Sequence, residues 1–199
     1  MAKIKPALIL ALIAAIISCL IIVVYKATYR DTSLEVTDKE FAAASAIYGG
    51  AKTDYTVIPL EQYPAALLTT DNEGKTACVI PELKKIVKKN DGSVAFSLEV
   101  KGYKKGFGIM VGVKDDVVTG VSVVTVGEET PGLGTNTNKP EFLDCFKGIT
   151  GKAEIVKSNP DSSKGQVQAV TSATYSSKGV AKAVNLALEA YKLSGGDFE

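Results

Sequence analysis

Residues 94–126 read VAFSLEVKGYKKGFGIMVGVKDDVVTGVSVVTV, and their patterning decides the fold class. Val94, Phe96, Leu98 and Val100 alternate with polar or small residues, and Ile109, Val111 and Val113 do the same. Side chains point to opposite faces along a strand, so this period of two gives each segment one buried face. Asp115-Asp116 is a short polar connection to a further strand over residues 117–126, and the whole stretch predicts an antiparallel meander. The glycines at 102, 106, 108 and 112 point to twist, bulges or close packing. Outward from this meander, residues 55–60, 76–80 and 166–170 also read as strands. Thr37-Asp38-Lys39-Glu40 is a capping-box pattern that predicts a helix over 38–48, stopped by Gly49-Gly50. Residues 81–89 read as a short helix with Lys84, Lys85, Lys88 and Lys89 turned to water, and 139–147 as a helix with Phe142, Leu143 and Phe146 inward. The last helix carries one apolar stripe, Val180, Val184, Ala187, Leu188 and Tyr191, and its start is expected at Ser176 or Ser177, both good N-caps. The class is therefore α+β, an antiparallel sheet with flanking helices.

Residues 7–25 are apolar apart from Ser18 and Cys19, long enough as a helix to cross a bilayer once. Lys3 and Lys5 precede this run and Lys26 and Arg30 follow it, which tilts the expected orientation toward a cytoplasmic N-terminus. Ser18-Cys19 also resembles a lipoprotein cleavage site, but five further apolar residues follow Cys19 where a processed chain would turn polar, so a retained anchor is expected. Setting aside those four basic residues leaves 19 of the 23 Lys and Arg against 22 Asp and Glu, a net of −3 that argues against nucleic acid as a partner. Histidine is absent, which removes Ser-His-Asp and Cys-His nucleophilic schemes and histidine ligation of metal or haem. Cys19, Cys78 and Cys145 are far apart, with no C-x-x-C spacing, so this chain by itself offers no metal site; a Cys78–Cys145 pairing stays open. No catalytic residue is expected, and any redox chemistry must come from a bound cofactor.

Two segments suggest which one. Thr171-Ser172-Ala173-Thr174-Tyr175-Ser176-Ser177 follows a strand and leads into the last helix. A helix start offers unpaired N–H groups and a positive dipole end, and small residues let a bulky anion approach the backbone. A Ser/Thr-rich turn that merely caps a helix has the same composition. Some forty residues upstream, Glu129-Thr130-Pro131-Gly132-Leu133-Gly134 reads as a turn with Pro131-Gly132 as its central pair.

Thr171-Ser172-Ala173-Thr174 resembles the Ser/Thr-Gly-Ala-Thr flavinylation motif of the FMN-binding domain family, and residues 129–134 are similar to the Glu-Thr-Pro-Gly-Leu-Gly loop of the G subunits of Rnf electron-transport complexes. The likeness runs from about Val94 to Tyr191. It implies three regions: a cytoplasmic tip and membrane anchor over 1–30, an N-terminal α+β lobe over 31–90 and an FMN-binding lobe over 91–199. It implies covalent FMN, joined through its phosphate to Thr174 by a flavin transferase, with Thr171, Ser172, Ala173, Tyr175, Ser176 and Ser177 around the phosphate. It further implies that Glu129, Thr130, Gly132, Leu133 and Gly134 lie near the ring, with Thr130 and the N–H groups of Leu133 and Gly134 as hydrogen-bond partners and Leu133 on the ring face. Glu129 reads equally well as a surface charge. Lys178 and Lys182 follow the motif closely enough to help neutralise the phosphate.

The functional expectation from the resemblance is an electron relay without turnover of its own, on the extracytoplasmic side of the cell membrane. It would work among the other subunits of a complex that moves electrons between ferredoxin and NAD and couples them to sodium or proton transport. The C subunit of the sodium-pumping NADH:quinone reductase shares these features, and a free-standing surface flavoprotein is a further alternative. Three departures from the family pattern stand out: Gln168 where Asp is usual, Ser172 where Gly is common, and Gly127 where a histidine often stands. The first bears on transferase recognition, the second on local backbone geometry.

Overall fold

Five strands form one antiparallel sheet: β1 (Tyr55–Ile58), β4 (Leu83–Lys89), β5 (Val94–Val100), β6 (Phe107–Lys114) and β7 (Val117–Thr125), in spatial order β1-β4-β5-β6-β7. The structure is a computed structural model that describes residues 4–28, 34–71, 73–196 and 198. Period-two burial builds the core here as expected: Phe96, Leu98, Phe107, Ile109 and Val111 face one side of the sheet, while Ala95 and Met110 face the other.

Each face is covered by one helix. Helix α4 (Thr174–Leu193) lays Val180, Val184, Ala187 and Leu188 on the larger core, and α2 (Asp38–Tyr48) packs Ala43 and Ala44 on the second face. The capping box at Thr37 is formed: Glu40 N–H donates to the Thr37 hydroxyl, and Thr37 N–H to the Glu40 carboxylate. Gly112 and Gly120 let α2 sit close, because a Cβ at either would stand within about 3 Å of the Ile47 side chain, inside ordinary contact distance. A small hairpin, β2 (Leu68–Thr70) with β3 (Thr76–Cys78), is inserted between β1 and β4, and β8 (Glu154–Val156) pairs in parallel with β9 (Gln166–Gln168).

Residues 81–89 are not a helix: they hold β4, which pairs with both β1 and β5. The misreading has a physical source. A register shift between Leu83 and Lys85 lets Leu83 and Ile86, three residues apart, face the same core, and a bulge thereby imitates helical spacing. Of the four lysines expected to face water, Lys84 is exposed, while Lys85, Lys88 and Lys89 are half-buried. Lys85 reaches the Glu40 carboxylate at 3.1 Å, and Lys89 bonds the Tyr48 carbonyl and pairs with Asp91. Because β4 joins β5 across residue 91, residues 34–199 form one compact unit, and the expected division into lobes 31–90 and 91–199 is absent. The helix expected over 139–147 is split into α3 (Pro140–Leu143) and a 3-10 turn over Asp144–Phe146, with Phe142, Leu143 and Phe146 buried as expected.

Helix α1 (Ile4–Thr28) belongs to the other unit of the chain. Its side chains from residue 8 to 25 are all exposed and apolar apart from Ser18 and Cys19, and Ser18 returns its hydroxyl to the Ala14 carbonyl within the helix. Length and composition suffice to cross a bilayer once. Lys3, Arg30 and the rest of the flanking charge pattern lie outside the residues described at side-chain level.

Candidate functional site

The start of α4 is the centre of the site. Val170 to Ala173 form a turn closed by Ala173 N–H to the Val170 carbonyl at 2.9 Å, with Ser172 at φ +60°, a left-handed conformation that glycine adopts more readily. This is the position where the flavinylation motif commonly has Gly. Serine holds the same geometry here at a small conformational cost.

The helix begins at Thr174, two residues before the expected N-caps. Ala173 is the N-cap and offers no side-chain acceptor, and the first ladder bond runs from Ser177 N–H to the Ala173 carbonyl. Ser176 and Ser177 do not cap the helix because both are buried within its first turn, where Ser176 bonds across to another segment and Ser177 bonds within the turn that leads into the helix. Ser176 donates to Glu129 Oε2 at 2.5 Å. Ser177 donates to the Ala173 carbonyl and accepts from Val170 N–H at 3.0 Å, tying the turn to the helix. The result is a helix start without a side-chain cap. Thr174 is half-buried at its first position, Thr171, Ser172 and Tyr175 are exposed, and Ala173 is buried beneath them.

Glu129 is no surface charge. It is 5% exposed, and three donors converge on its carboxylate. Oε1 accepts from Tyr103 N–H at 2.8 Å and Lys104 N–H at 3.1 Å, and Oε2 accepts from Ser176. One side chain thus joins the β5–β6 hairpin tip, the 129–134 loop and α4. Glycines make the convergence possible: a Cβ on Gly102 would lie 2.4 Å from Glu129 Oε1, and one on Gly134 would lie 2.3 Å from Oε2. With both oxygens taken by protein donors, Glu129 positions the site and does not present a free carboxylate to a ligand.

The loop itself is the turn expected from Pro131-Gly132. Gly132 has φ +73°, and Leu133 N–H closes onto the Thr130 carbonyl at 3.1 Å. That N–H is therefore spent inside the turn instead of being presented to a ring. The Leu133 side chain is 43% exposed. Thr130 is half-buried and Gly134 lies buried against Ser176.

Lys182 is committed elsewhere, to Glu82 at 2.6 Å, whose carboxyl it holds below the usual range mainly through that hydrogen bond. Lys178 is exposed in the first turns of α4, and the hairpin tip packs on the same helix at Gly179, where a Cβ would lie 3.0 Å from Gly102 Cα and 3.2 Å from the Lys101 carbonyl oxygen. Cys78 and Cys145 are free thiols, so the open question of their pairing closes.

Gly102 is one of the glycines expected at a close approach, whereas Tyr103 has no place among the expected site residues. The only signal was an aromatic residue within Lys101-Gly102-Tyr103-Lys104-Lys105-Gly106, a hairpin tip that has no core to receive it.

Residues 102–189 match the FMN-binding domain family, and every residue of the cluster lies within that span. The chain is similar to the G subunit of the Na(+)-translocating ferredoxin:NAD(+) oxidoreductase complex of Acetobacterium woodii, 30% identical over 54% of each chain. It is 28% identical to the G subunit of an ion-translocating oxidoreductase complex of Aliivibrio fischeri, over 94% of this chain and 90% of that one. A third relative is the G subunit of the proton-translocating ferredoxin:NAD(+) oxidoreductase complex of Clostridium ljungdahlii, 39% identical over 46% of this chain and 49% of that one. The chain spans about half the length of the Acetobacterium and Clostridium relatives and nearly all of the Aliivibrio one. Among solved structures, Shewanella oneidensis NqrC shares the fold, with a TM-score of 0.51 and 23% identity over 66% of this chain and 69% of that one. A helix start fit for a phosphate and a loop clamped beside it thus lie within residues 102–189, which match the FMN-binding domain family, in a chain similar to the G subunits of ion-translocating oxidoreductase complexes.

Proposed function

We propose that this chain is the electron-relay subunit of a membrane-bound, Rnf-type ferredoxin:NAD oxidoreductase that couples electron flow to sodium or proton translocation. It carries FMN joined through its phosphate to the Thr174 hydroxyl, attached by a flavin transferase. Helix α1 anchors the chain in the bilayer, and the flavin domain lies on the extracytoplasmic side. The observation that carries the reading is the hydroxyl of Thr174 on the first residue of a helix that no side chain caps.

The residues present fit the cofactor. Thr174 stands where N–H groups at the start of α4 face outward, so a phosphodiester there accepts hydrogen bonds from the backbone and meets the positive end of the helix dipole. Thr171, Ser172 and Ala173 are small enough to leave room for it, and Lys178 adds positive charge at the same end. FMN, when bound, supplies one- and two-electron chemistry that no side chain of this protein offers. The protein's own part is placement: Ser177 fixes the turn, Ser176 and Glu129 hold the 129–134 loop and the hairpin tip against α4, and Leu133 remains free to cover an apolar surface. A relay needs its cofactor fixed and its edge accessible, and a tether at the tail leaves both conditions open.

Replacing Thr174 with Ala tests this directly. On a denaturing gel the wild type should show a fluorescent band under ultraviolet light, and its tryptic peptide over 165–178 should carry one FMN. The Ala variant should lack both, while folding with a stability change within about 1 kcal/mol because the side chain is only half-buried. Thr174→Ser should keep the band. A band that persists in the Ala variant refutes the attachment.

A further inference from the structure

Strand β8 has a strand neighbour on one side only. β9 runs parallel to it, with Glu154 N–H on the Gly165 carbonyl at 3.0 Å and Ala169 N–H on the Val156 carbonyl at 2.8 Å. Backbone groups of alternate residues in a strand point to opposite edges, so Glu154 and Val156 face β9 while Ala153 and Ile155 face away from it. On that open edge Asn185 of α4 stands in for a strand at Ala153: its Oδ1 accepts from Ala153 N–H at 2.7 Å, and its Nδ2 donates to the Ala153 carbonyl at 3.0 Å. Two residues further along, no described residue bonds the N–H or the carbonyl of Ile155.

Ile155 borders a groove of about 370 Å³ between β8 and α4, lined on the helix side by Lys178, Ala181, Lys182 and Leu186. Its floor is apolar, since Ile155 and Leu186 are half-buried and pack against the main core. Its surround is basic. Lys178 is exposed, and Lys152 and Lys157 flank the strand, also exposed; among the described residues no carboxylate pairs with any of the three. Lys182 is shared with Glu82, and Glu154, the acidic residue of the lining, accepts from Gln166 Nε2 at 3.2 Å.

An unpaired strand edge beside an apolar floor is a template for one more strand. We propose that the open edge of β8 is a docking site for an extended, acidic segment of a neighbouring protein, which adds to β8 at Ile155 and sets its carboxylates among the surrounding lysines. The backbone of that segment exchanges two hydrogen bonds with Ile155, and Asn185 keeps the contact short by closing the edge at Ala153. Apolar side chains at alternate positions of the segment suit the Ala181 and Leu186 lining. Charge decides the occupant. A second copy offering the same edge brings lysines against lysines, and an anionic lipid surface satisfies the lysines but leaves the Ile155 backbone unpaired.

The full-length chain in detergent, titrated against a fluorescent peptide of alternating Glu and Val, tests this by polarisation of the label. The Glu-Val peptide should bind, and its Lys-Val counterpart should bind at least about tenfold more weakly because it meets like charge. Methylating every backbone nitrogen of the Glu-Val peptide keeps its charge and removes its donors, so it too should lose about tenfold or more. On the protein side, Ile155→Pro deletes the outward N–H at an edge where proline is tolerated, and should weaken binding about tenfold, whereas Ile155→Val should bind as the wild type does. Lys178→Glu should weaken binding by a similar factor. Thermal melting checks that each variant is folded, and the methylated peptide decides the question should Ile155→Pro not fold. No binding of the Glu-Val peptide overturns the proposal. Equal binding of the methylated peptide overturns it as well, since attraction is then by charge alone and no strand is added. A dimer of the chain seen in sedimentation and abolished by Ile155→Pro overturns the choice of occupant in favour of a second copy.

Discussion

Removing the Glu129 carboxylate should unlock three segments at once. Three hydrogen bonds end on it, two from backbone N–H groups and one from Ser176, at 2.8, 3.1 and 2.5 Å, and the side chain is 5% exposed. Hydrogen bonds to a charged group are worth about 1.5–3 kcal/mol each, and the loss is offset in part by no longer desolvating the carboxylate. The net cost of Glu129→Ala should therefore be about 3–4 kcal/mol, which for a domain of this size lowers Tm by roughly 6–16 °C. Glu129→Gln keeps the shape and an acceptor oxygen but loses the charge, so about 1–2 kcal/mol is expected. Thermal melting of the detergent-solubilised chain by far-ultraviolet circular dichroism reads both. The neighbour Glu128, which is exposed and only 3.9 Å from Lys104, is the control, with an expected effect within about 0.5 kcal/mol for Glu128→Ala. A double-mutant cycle with Ser176→Ala should show a coupling of about 0.5–3 kcal/mol. Should Glu129→Ala melt within about 1 kcal/mol of the wild type, or no lower than the Glu128 control, the idea of one carboxylate holding the site together is wrong.

Three further outcomes are expected. Ser172→Gly should leave stability unchanged or raise it by up to about 1 kcal/mol, because φ +60° suits glycine, while Ser172→Val should lower it by about 1–2 kcal/mol; urea unfolding curves measure both, and a stable valine variant would argue against the left-handed turn. The Asp91 carboxyl is held down to about 2, chiefly by Ser93 N–H at 2.9 Å, then by the Ser93 hydroxyl and the Lys89 ammonium. A depressed pKa means that the unfolded chain takes the proton first. This group's contribution is complete above its ordinary value of 3.8 and is lost as pH falls toward 2, and Asp91→Asn should flatten the acid limb of a stability–pH curve in that window alone. With Cys145 replaced by Ser, a Ser158→Cys variant, exposed next to β8, should react with a membrane-impermeant thiol reagent on intact cells; reaction only after lysis would put the flavin domain in the cytoplasm.

Much of the architecture is legible in residue order because it rests on local periodicity. The alternation from Val94 onward is a strand whatever surrounds it, the Thr37–Glu40 box starts a helix by itself, and the stripe from Val180 to Tyr191 has only one face to bury. The long apolar run before residue 26 and the motif around Thr174 are likewise readable one residue at a time. β4 is different: the bulge beside Leu83 exists only because β5 pairs with it, and without that partner the spacing of Leu83 and Ile86 reads as helix. The same limit applies at the site. Ser176 and Ser177 have the chemistry of N-caps, but burial hands their hydroxyls to Glu129 and Val170, and α4 starts two residues earlier as a result. Glu129 looks like any surface carboxylate until the 101–104 tip, 25 residues away in sequence, delivers two N–H groups to it. Residue types and their periods determined by themselves what this chain is built from and where the proposed phosphate tether falls. Which side chains surround that tether, and that Tyr103 stands beside Tyr175, was decided by close approaches between segments far apart in sequence, made possible by Gly102, Gly134 and Gly179, which no local pattern encodes.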